Sequence, residues 1–324
     1  MMFAKIHIAF ADYDPKGIYS KHVGVAMASI MDNATLPVCF HILHNRTLTD
    51  DNRAKLTATV KMAENKHGLV LEHEICFEDV TRFYENFEAY VQAVCKGFSE
   101  GTTYYLTLPE ALPDSDRVIF TDSDTVTMLD MAELWNMDLK GLPVAAVKDT
   151  APHPIYGIEN ADESQHINTG IMIFDLAALR ADIAEHGSLL TRCVEYIRKY
   201  KPHFIEQEFM SAAFYGKILF LDMRFNTMKK AEQEDLSAEK IWHFANRKPW
   251  IELIGSNTEM LYWKYLQKTA WKDELLDAIY FAATNGGHLH RHTSDCLRRM
   301  KANVIRETKR GIAKLFGKKT FIES

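Results

Sequence analysis

The stretch on which the fold depends is Arg117-Val118-Ile119-Phe120-Thr121-Asp122-Ser123-Asp124-Thr125-Val126. Its apolar run, Val118 to Phe120, is short and rich in β-branched and aromatic residues, which is typical of a buried parallel strand. Polar residues begin where this strand should end. In open α/β sheets, ligands bind at the carboxyl ends of the strands, so we expect function at this exit.

Asp122 and Asp124 lie two residues apart, so in an extended chain both carboxylates project to the same side. Such oxygen donors suit Mn²⁺ or Mg²⁺, which usually complete their coordination with phosphate oxygens and water. A bound ion would then anchor a diphosphate. A structural role as the cap of a helix or turn is the alternative, because aspartate is favoured there and short motifs often match by chance.

The composition is that of a globular protein with unevenly distributed charge. The chain has 324 residues, of which 47% are hydrophobic, enough for one large α/β domain or two ordinary ones. The net charge of -6 argues against nucleic acid as a partner. Residues 287–324 carry ten Lys and Arg against three Asp and Glu, a balance of +7 that leaves -13 for the rest.

The cysteines are odd in number and scattered, at Cys39, Cys76, Cys95, Cys193 and Cys296. We interpret them as reduced thiols without a metal or redox role. No apolar run approaches the roughly 18 residues of a membrane span, and the first residues lack the pattern of a signal peptide. The predicted location is therefore the cytoplasm.

Strand and helix patterns alternate along the first part of the chain in the order βαβαβ, which predicts a mostly parallel sheet with crossover helices. The expected strands are 6–11, 38–43, 69–77, 118–120, 144–147, 166–176 and 218–221, and the expected helices are 23–31, 49–67, 104–109, 204–214 and 253–283.

Further polar residues occur at the ends of predicted strands. Asp12 follows the first strand, where it either contributes to a ligand crevice or starts a turn. Asp149 follows the strand over 144–147. The Asn168-Thr169-Gly170 step leads into an apolar strand, and its glycine indicates either the close approach of a ligand or another backbone segment, or a β-bulge.

The second half of the chain adds three candidates. Glu206 and Gln207 fall in the first turn of a predicted helix, where the helix dipole favours acids whatever the function. A lone histidine is more often a core residue than a ligand, but His243 is the best third ligand for a metal held by two aspartates. Lys248 follows five residues later and is suited to neutralising a diphosphate as a point charge.

The last part of the chain divides into two segments. Residues 251–286 are predicted to form a helical extension that ends at Asn285-Gly286-Gly287. Residues 287–324 carry apolar residues at helical spacing between the cations, a pattern typical of binding to an anionic membrane surface. An ordinary solvated helix, or one docked on the acidic body, is the alternative.

The order of these motifs resembles that of the glycosyltransferase family 8 enzymes, retaining UDP-hexose transferases that include lipopolysaccharide glucosyl- and galactosyltransferases and glycogenin. The resemblance implies that residues 1–250 form a catalytic domain of the GT-A type, the α/β fold of nucleotide-diphospho-sugar transferases, with a mixed, mostly parallel sheet flanked by helices. It also implies a UDP-hexose donor and Mn²⁺ or Mg²⁺. The matching pieces are Ala11-Asp12, Thr121-Asp122-Ser123-Asp124, Asn168-Thr169-Gly170, Glu206-Gln207-Glu208, Arg224-Phe225-Asn226, His243-Phe244 and Lys248-Pro249-Trp250.

Position by position, the resemblance also implies roles for individual residues. The implied metal ligands are Asp122, Asp124 and His243. The implied donor-binding residues are Ala11, Asp12, Asp122, Ser123, Asn168, Gly170 and Lys248. The implied catalytic residues, which orient the sugar at the reacting face, are Gln207, Glu206 and Asp149. Three features depart from the family pattern: Glu206 stands where many members have aspartate, Tyr105 stands where an arginine is expected, and the segment between His243 and Lys248 lacks a glycine found in better-known members.

The implied activity is the retaining, Mn²⁺-dependent transfer of glucose or galactose from a UDP-sugar to a glycan or glycolipid such as lipopolysaccharide core. The enzyme would act in the cytoplasm or at the inner face of the cell membrane. Because Gln207 is neutral and weakly nucleophilic, attack from the side of the departing group is favoured over a covalent intermediate. The alternatives are a non-catalytic nucleotide- or carbohydrate-binding protein, and a different sugar-nucleotide enzyme, either an inverting transferase or a nucleotidyltransferase.

Overall fold

A central sheet with helices on both faces organises the chain. The computed structural model describes residues 5–85, 99–151, 153–228, 235–245, 248–250 and 257–274, and the structural statements that follow concern these residues. The strands are β1 (Ile6–Asp12), β2 (Val38–His44), β3 (Glu74–Asp79), β4 (Arg117–Thr121), β5 (Thr125–Thr127), β6 (Val144–Lys148), β7 (Ile167–Asp175), β8 (Ile218–Leu221) and β9 (Ile241–His243). The α-helices are α1 (Ser20–Asn33), α2 (Asp50–Lys61), α3 (Thr81–Tyr84), α4 (Leu108–Ala111), α5 (Ala132–Trp135), α6 (Leu176–His186), α7 (Leu189–Tyr200), α8 (Ile205–Ala213) and α9 (Asn257–Leu266).

The main sheet has seven strands in the order β3-β2-β1-β4-β7-β6-β8. Strands β3, β2, β1 and β4 are parallel, β7 runs antiparallel to both of its neighbours, and β6 and β8 are parallel. β2 is buried along its whole length, as expected for a strand covered on both faces. The predicted α/β fold with a mixed, mostly parallel sheet is therefore confirmed. A small second sheet pairs β5 with β9.

Helix α1 connects the sheet to the C-terminal part of the described chain. It is buried at nearly every position, because it lies between the sheet and α9. His22 Nδ1 lies 2.7 Å from the hydroxyl of Tyr262. A Cβ built on Gly24 would come within 2.7 Å of the Trp271 ring, so glycine allows the segment after α9 to approach α1 this closely.

Two element boundaries differ from the sequence prediction. β3 begins at Glu74 rather than Leu69, and Val70 is 98% exposed. α2 ends at Lys61 rather than near His67, because the following loop is held against the end of α1 by a hydrogen bond from Asn65 Nδ2 to the carbonyl oxygen of Met31 (3.0 Å). The apolar run that predicted an earlier strand thus lies outside the sheet.

The predicted helix 253–283 is interrupted. α9 ends at Leu266, and the chain then turns at Thr269, whose hydroxyl donates to the Leu266 carbonyl oxygen at 2.8 Å and accepts from the Trp271 amide at 3.1 Å. Likewise, the predicted helix 104–109 is a 3-10 helix over Glu100–Thr107 followed by α4. The basic segment 287–324 lies outside the described residues.

Two general predictions concern the whole chain. Cys39, Cys76 and Cys193 form no disulfide, whereas Cys95 and Cys296 lie outside the described residues. Among the helices that the structure describes, none combines the length and the hydropathy needed to cross a bilayer.

Candidate active site

The pairing of β5 with β9 brings the acid pair and His243 together. The chain turns after Asp122 and enters β5, in which Thr125 lies opposite His243 in antiparallel register. The amide of Phe244 donates to the Asp124 carbonyl oxygen at 2.9 Å. Two segments more than a hundred residues apart in sequence therefore meet at the exit of β4.

The three side chains converge on one point. His243 Nε2 lies 3.5 Å from Asp122 Oδ2 and 3.3 Å from Asp124 Oδ1. Ligands about 2.1 Å from a Mg²⁺-sized ion in octahedral geometry stand roughly 3 Å apart, so these atoms match part of one coordination shell. His243 Nδ1 lies 2.8 Å from Asn226 Oδ1, and an N–H on Nδ1 keeps the Nε2 lone pair directed at the acids. The donor set fits a divalent cation.

The two carboxylates have different electrostatic environments. Burial in the cleft floor and the neighbouring Asp124 raise the pKa of Asp122 to about 6, although 42% of its side chain is exposed to the cleft. Burial also disfavours the charged form of Asp124, but His243 and Lys248 outweigh it and hold the Asp124 pKa well below its usual range. Lys248 Nζ contacts Asp124 Oδ2 directly. Asp124 is therefore held as a carboxylate by cationic neighbours.

A chain of hydrogen bonds links His243 to the residues predicted to orient the sugar. Asn226, which is bonded to His243, donates through Nδ2 to Asn168 Oδ1 at 2.7 Å. Asn168 Nδ2 donates to Gln207 Oε1 at 3.2 Å, and Gln207 Nε2 donates to Asp149 Oδ2 at 2.9 Å. Because each amide donates at one end and accepts at the other, the chain of hydrogen bonds fixes the orientation of Gln207 relative to His243.

Gly170 lies where no side chain fits. A Cβ there would stand 2.3 Å from His243 Cε1 and 2.6 Å from His243 Nδ1. Gly170 allows a close approach by another part of the chain. The register between β6 and β7 also shifts between Ala146 and Val147, as a β-bulge would require. The close neighbour of Gly170 is an imidazole ring rather than a backbone segment. The missing Cβ leaves room for the His243 imidazole.

These groups line a cavity of about 730 Å³, a size typical of small-molecule sites. Of the predicted site residues, those that line it are Ala11, Asp122, Ser123, Asp124, Asp149, Asn168, Gly170, Glu206, Gln207, His243 and Lys248. Asp12 is not among them. It is fully buried and accepts a hydrogen bond from Ser20 Oγ at 2.7 Å, and burial raises its pKa to about 7. Its neighbours Ala11 and Tyr13 face the cavity instead.

Several residues to which the sequence prediction gave no role in the site contact the site residues or hold them in place. Asn226 was identified only as part of a motif, and its contact with His243 depends on tertiary structure that spacing does not reveal. Tyr19 lines the cavity, and its hydroxyl accepts a hydrogen bond from Ser123 Oγ at 2.8 Å. Trp250 stacks on His22 with ring centroids 3.6 Å apart, which holds the segment following Lys248 against α1.

Glu206 lies on α8 in an unusual environment for a carboxylate. It is 8% exposed, and its Oε2 is buried without a hydrogen-bond partner in the described part of the protein. Burial raises the pKa of Glu206 from its ordinary value of 4.5 to about 8. This raised pKa favours the neutral carboxylic acid near neutral pH, and that form is able to donate a hydrogen bond.

We expect Glu206→Gln to stabilise the protein increasingly as pH rises. Between pH 4.5 and about pH 8 the folded state binds more protons than the unfolded state. The free energy of unfolding therefore falls as pH rises through this window. The gain of the Gln variant over wild type should grow from about 1 kcal/mol at pH 5 to about 4 kcal/mol at pH 8. Denaturant unfolding at both pH values measures it. A gain independent of pH would mean that Glu206 titrates normally.

Comparison with known proteins identifies a family and relatives with similar sequences. The model of the family described as Glycosyl transferase family 8 matches residues 13–253. General stress protein A of Bacillus subtilis is 24% identical over 279 residues, covering 78% of this chain and 91% of that protein. The lipopolysaccharide 1,2-glucosyltransferase of Escherichia coli is 24% identical over 177 residues, covering 49% of this chain and 51% of that enzyme. The chain thus spans about half the length of the latter relative.

The crystal structure of the galactosyltransferase LgtC in complex with donor and acceptor sugar analogs matches with a TM-score of 0.63 at 20% identity. The match covers 82% of this chain and 96% of LgtC, and it confirms the predicted GT-A fold. The family match includes every predicted site residue except Ala11 and Asp12. Because the family model matches most of the sequence, the chain belongs to glycosyl transferase family 8 and is a glycosyltransferase.

Proposed function

We propose that this enzyme transfers a hexose, glucose or galactose, from UDP to a glycan or glycolipid acceptor with retention of anomeric configuration, and that it depends on Mn²⁺. The observation that carries the proposal is the convergence of Asp122, Asp124 and His243 at the wall of a cavity that also contains Gln207 and Lys248. An acid pair that only capped a turn would not require a buried imidazole to face it.

Asp122, Asp124 and His243 are the residues that would hold the ion. A bound divalent ion supplies positive charge that stabilises a departing diphosphate. Lys248 Nζ contacts Asp124 Oδ2 and lies 3.3 Å from the Ala245 carbonyl oxygen. Since its side chain is 29% exposed, it is free to turn from Asp124 toward a phosphate oxygen once the acid pair has another cationic partner.

Gln207 fits an orienting role better than a nucleophilic one. Its Oε1 already accepts hydrogen bonds from Asn168 Nδ2 at 3.2 Å and from the Thr169 amide at 3.3 Å. Both donors withdraw electron density from that oxygen. We therefore favour attack on the face from which UDP departs. The bond from the anomeric carbon to the phosphate oxygen breaks, the acceptor hydroxyl oxygen forms the new bond, and its proton passes to the leaving phosphate.

The remaining side chains of the cavity are suited to holding the sugar. Asp149 is fixed by the Gln207 amide at 2.9 Å, and as an acceptor it can bind a sugar hydroxyl. Glu206 provides the complementary donor, because its raised pKa keeps it protonated near neutral pH. Together the two residues would hold the ring so that its anomeric carbon faces the acceptor.

A donor screen tests the proposal most simply. UDP-glucose, UDP-galactose and UDP-N-acetylglucosamine would be incubated with the full chain, with Mn²⁺ and after chelation, and UDP release measured. We expect hydrolysis of UDP-glucose or UDP-galactose that requires the metal, and NMR of the transfer product should show the anomeric configuration of the donor. An inverted product would support an inverting transferase, and failure to use any UDP-sugar would contradict the proposal.

For the acceptor we propose a glycolipid at a membrane surface, such as lipopolysaccharide core. The lipopolysaccharide 1,2-glucosyltransferase among the relatives and the +7 balance of residues 287–324 support this choice. The segment itself lies outside the described residues, so the proposal rests on its sequence.

Deletion of residues 287–324 is expected to release the protein from anionic vesicles while leaving hydrolysis of the UDP-sugar unchanged. Each basic residue near an anionic surface contributes about 1 kcal/mol to binding, so losing ten of them should abolish cosedimentation at physiological salt. Neutral vesicles serve as the control. Equal binding of the shortened and full chains to anionic vesicles would show that the segment is not the anchor.

A further inference from the structure

A second group of potential metal ligands lies at the other end of the sheet. In the parallel register, His7 on β1 lies beside Cys39 on β2, and His41 on β2 lies beside Cys76 on β3. All four side chains therefore project from the same face. His7 precedes the end of β1 by five residues, a rise of roughly 16 Å along the strand, so the group is separate from the active site.

Two distances within this group are close to those of a tetrahedral zinc site. Cys39 Sγ and Cys76 Sγ are 3.8 Å apart, and two thiolates bound to zinc at about 2.3 Å stand about 3.8 Å apart. His7 Nδ1 and His41 Nε2 are 2.9 Å apart, slightly less than the roughly 3.3 Å between two nitrogens on the same tetrahedron. Ligand atoms of His7, Cys39 and His41 all lie within 4.8 Å of one another, and those of His41, Cys76 and Glu78 form a second such group. The two groups share His41, so one tetrahedral site requires the Cys76 side chain to turn toward the first group.

The surroundings also favour a bound cation. His41 Nδ1 lies 3.0 Å from Glu78 Oε1, which places the N–H on Nδ1 and leaves Nε2 to act as a ligand; a carboxylate in this position is usual behind zinc-binding histidines. Cys39 is 4% exposed and His41 6%. Two thiolates and two neutral imidazoles together balance the charge of a divalent ion, which lowers the cost of burying it.

We propose that Cys39, Cys76, His7 and His41 bind one structural zinc ion, with Glu78 orienting His41. Soft sulfur and imidazole ligands select zinc over the harder ions suited to the acid pair. With all four positions filled by protein, the site has no place for substrate. Its role would be to join β3, a largely half-exposed edge strand, to β1 and β2. This assigns a metal role to two cysteines for which the sequence indicated none.

Cobalt substitution in the reduced, full-length chain tests the proposal. Co²⁺ bound by thiolates gives a near-ultraviolet charge-transfer absorption that an oxygen and nitrogen site does not produce. We expect this band to saturate at one equivalent of Co²⁺, to be displaced by Zn²⁺, and to be lost in Cys39→Ser and in Cys76→Ser. Cys193→Ala, which removes a buried thiol elsewhere, should retain it, as should Asp124→Ala in the active site.

Zinc content and melting temperature can be measured on the wild-type protein, so they test the proposal even if the variants do not fold. Wild-type protein should retain about one zinc after dialysis, and a strong chelator should lower its melting temperature by several degrees. The proposal is overturned if reduced wild-type protein gives no thiolate-to-cobalt band. It is equally overturned if the band survives in both Cys39→Ser and Cys76→Ser, or if the two thiols prove to form a disulfide in the freshly purified protein.

Discussion

Replacing Asp124 by alanine is expected to reduce sugar transfer by about 10³-fold or more, because it removes a proposed metal ligand and its charge from the proposed diphosphate site. The change also leaves His243 and Lys248 facing each other without the carboxylate that both contact. The initial rate of metal-dependent release of UDP from the donor measures the effect. Excess Mn²⁺ should not restore the rate, since the ligand itself is gone.

The control for this variant must separate catalysis from folding. Asp124 is 6% exposed, and breaking a buried ion pair commonly costs about 3–5 kcal/mol. Circular dichroism and thermal melting therefore accompany the assay. Asp114→Ala, which removes an exposed aspartate outside the cavity, should keep wild-type activity. Normal metal-dependent turnover by a folded Asp124→Ala protein would end the proposal that the acid pair holds the ion.

Gly170→Ala is expected to lower activity by about 10²-fold through its effect on His243 rather than through any contact with substrate. A methyl group placed 2.3 Å from His243 Cε1 must displace the ring, and small displacements in a preorganised site carry a cost of this size. The Mn²⁺ concentration for half-maximal activity should rise by about 10- to 100-fold, as when the support of a metal ligand is lost. A titration of activity against Mn²⁺ measures both quantities.

Ile171→Val is the matched control, because it removes one methylene from the next residue of β7, which is also fully buried. It should lower stability slightly and leave the Mn²⁺ requirement unchanged. If Gly170→Ala were to show the same Mn²⁺ requirement as wild type, the position of His243 would not matter for the metal, and the glycine would serve only the fold.

The family and the fold were predictable from the sequence because the motifs lie at the ends of elements: Asp12 and Asp122 where strands end, Asn168 near the start of β7, and Glu206 in the first turn of α8. The run from Val118 to Phe120 is β-branched and aromatic, and Asp122 directly follows Thr121, the last residue of β4. An ordered set of such pieces is far more specific than any single one. His243, by contrast, was predicted by elimination and by resemblance, since only the β5–β9 pairing brings it to the acid pair.

What the sequence could not provide were contacts set by register and burial. Asp12 is the last residue of β1, but its side chain is fully buried. Alternation alone cannot show which face of a largely buried strand meets the cavity. Asn226 contacts His243 because the neighbouring Thr227 forms a bridge with Trp242 of β9. Cys39 and His41, like Cys76 and Glu78, are two residues apart, so each pair lies on one face of its strand. That the two pairs lie side by side depends on the register of β2 with β3.

The account depends most on a cation held jointly by two carboxylates and the His243 imidazole, and pulsed electron paramagnetic resonance of Mn²⁺ bound to the full chain with UDP tests it directly. We predict magnetic coupling of Mn²⁺ to one bound nitrogen and to the phosphorus nuclei of UDP, with the nitrogen coupling absent in His243→Ala. A wild-type sample that transfers sugar while its Mn²⁺ shows no coupling to nitrogen would contradict the account.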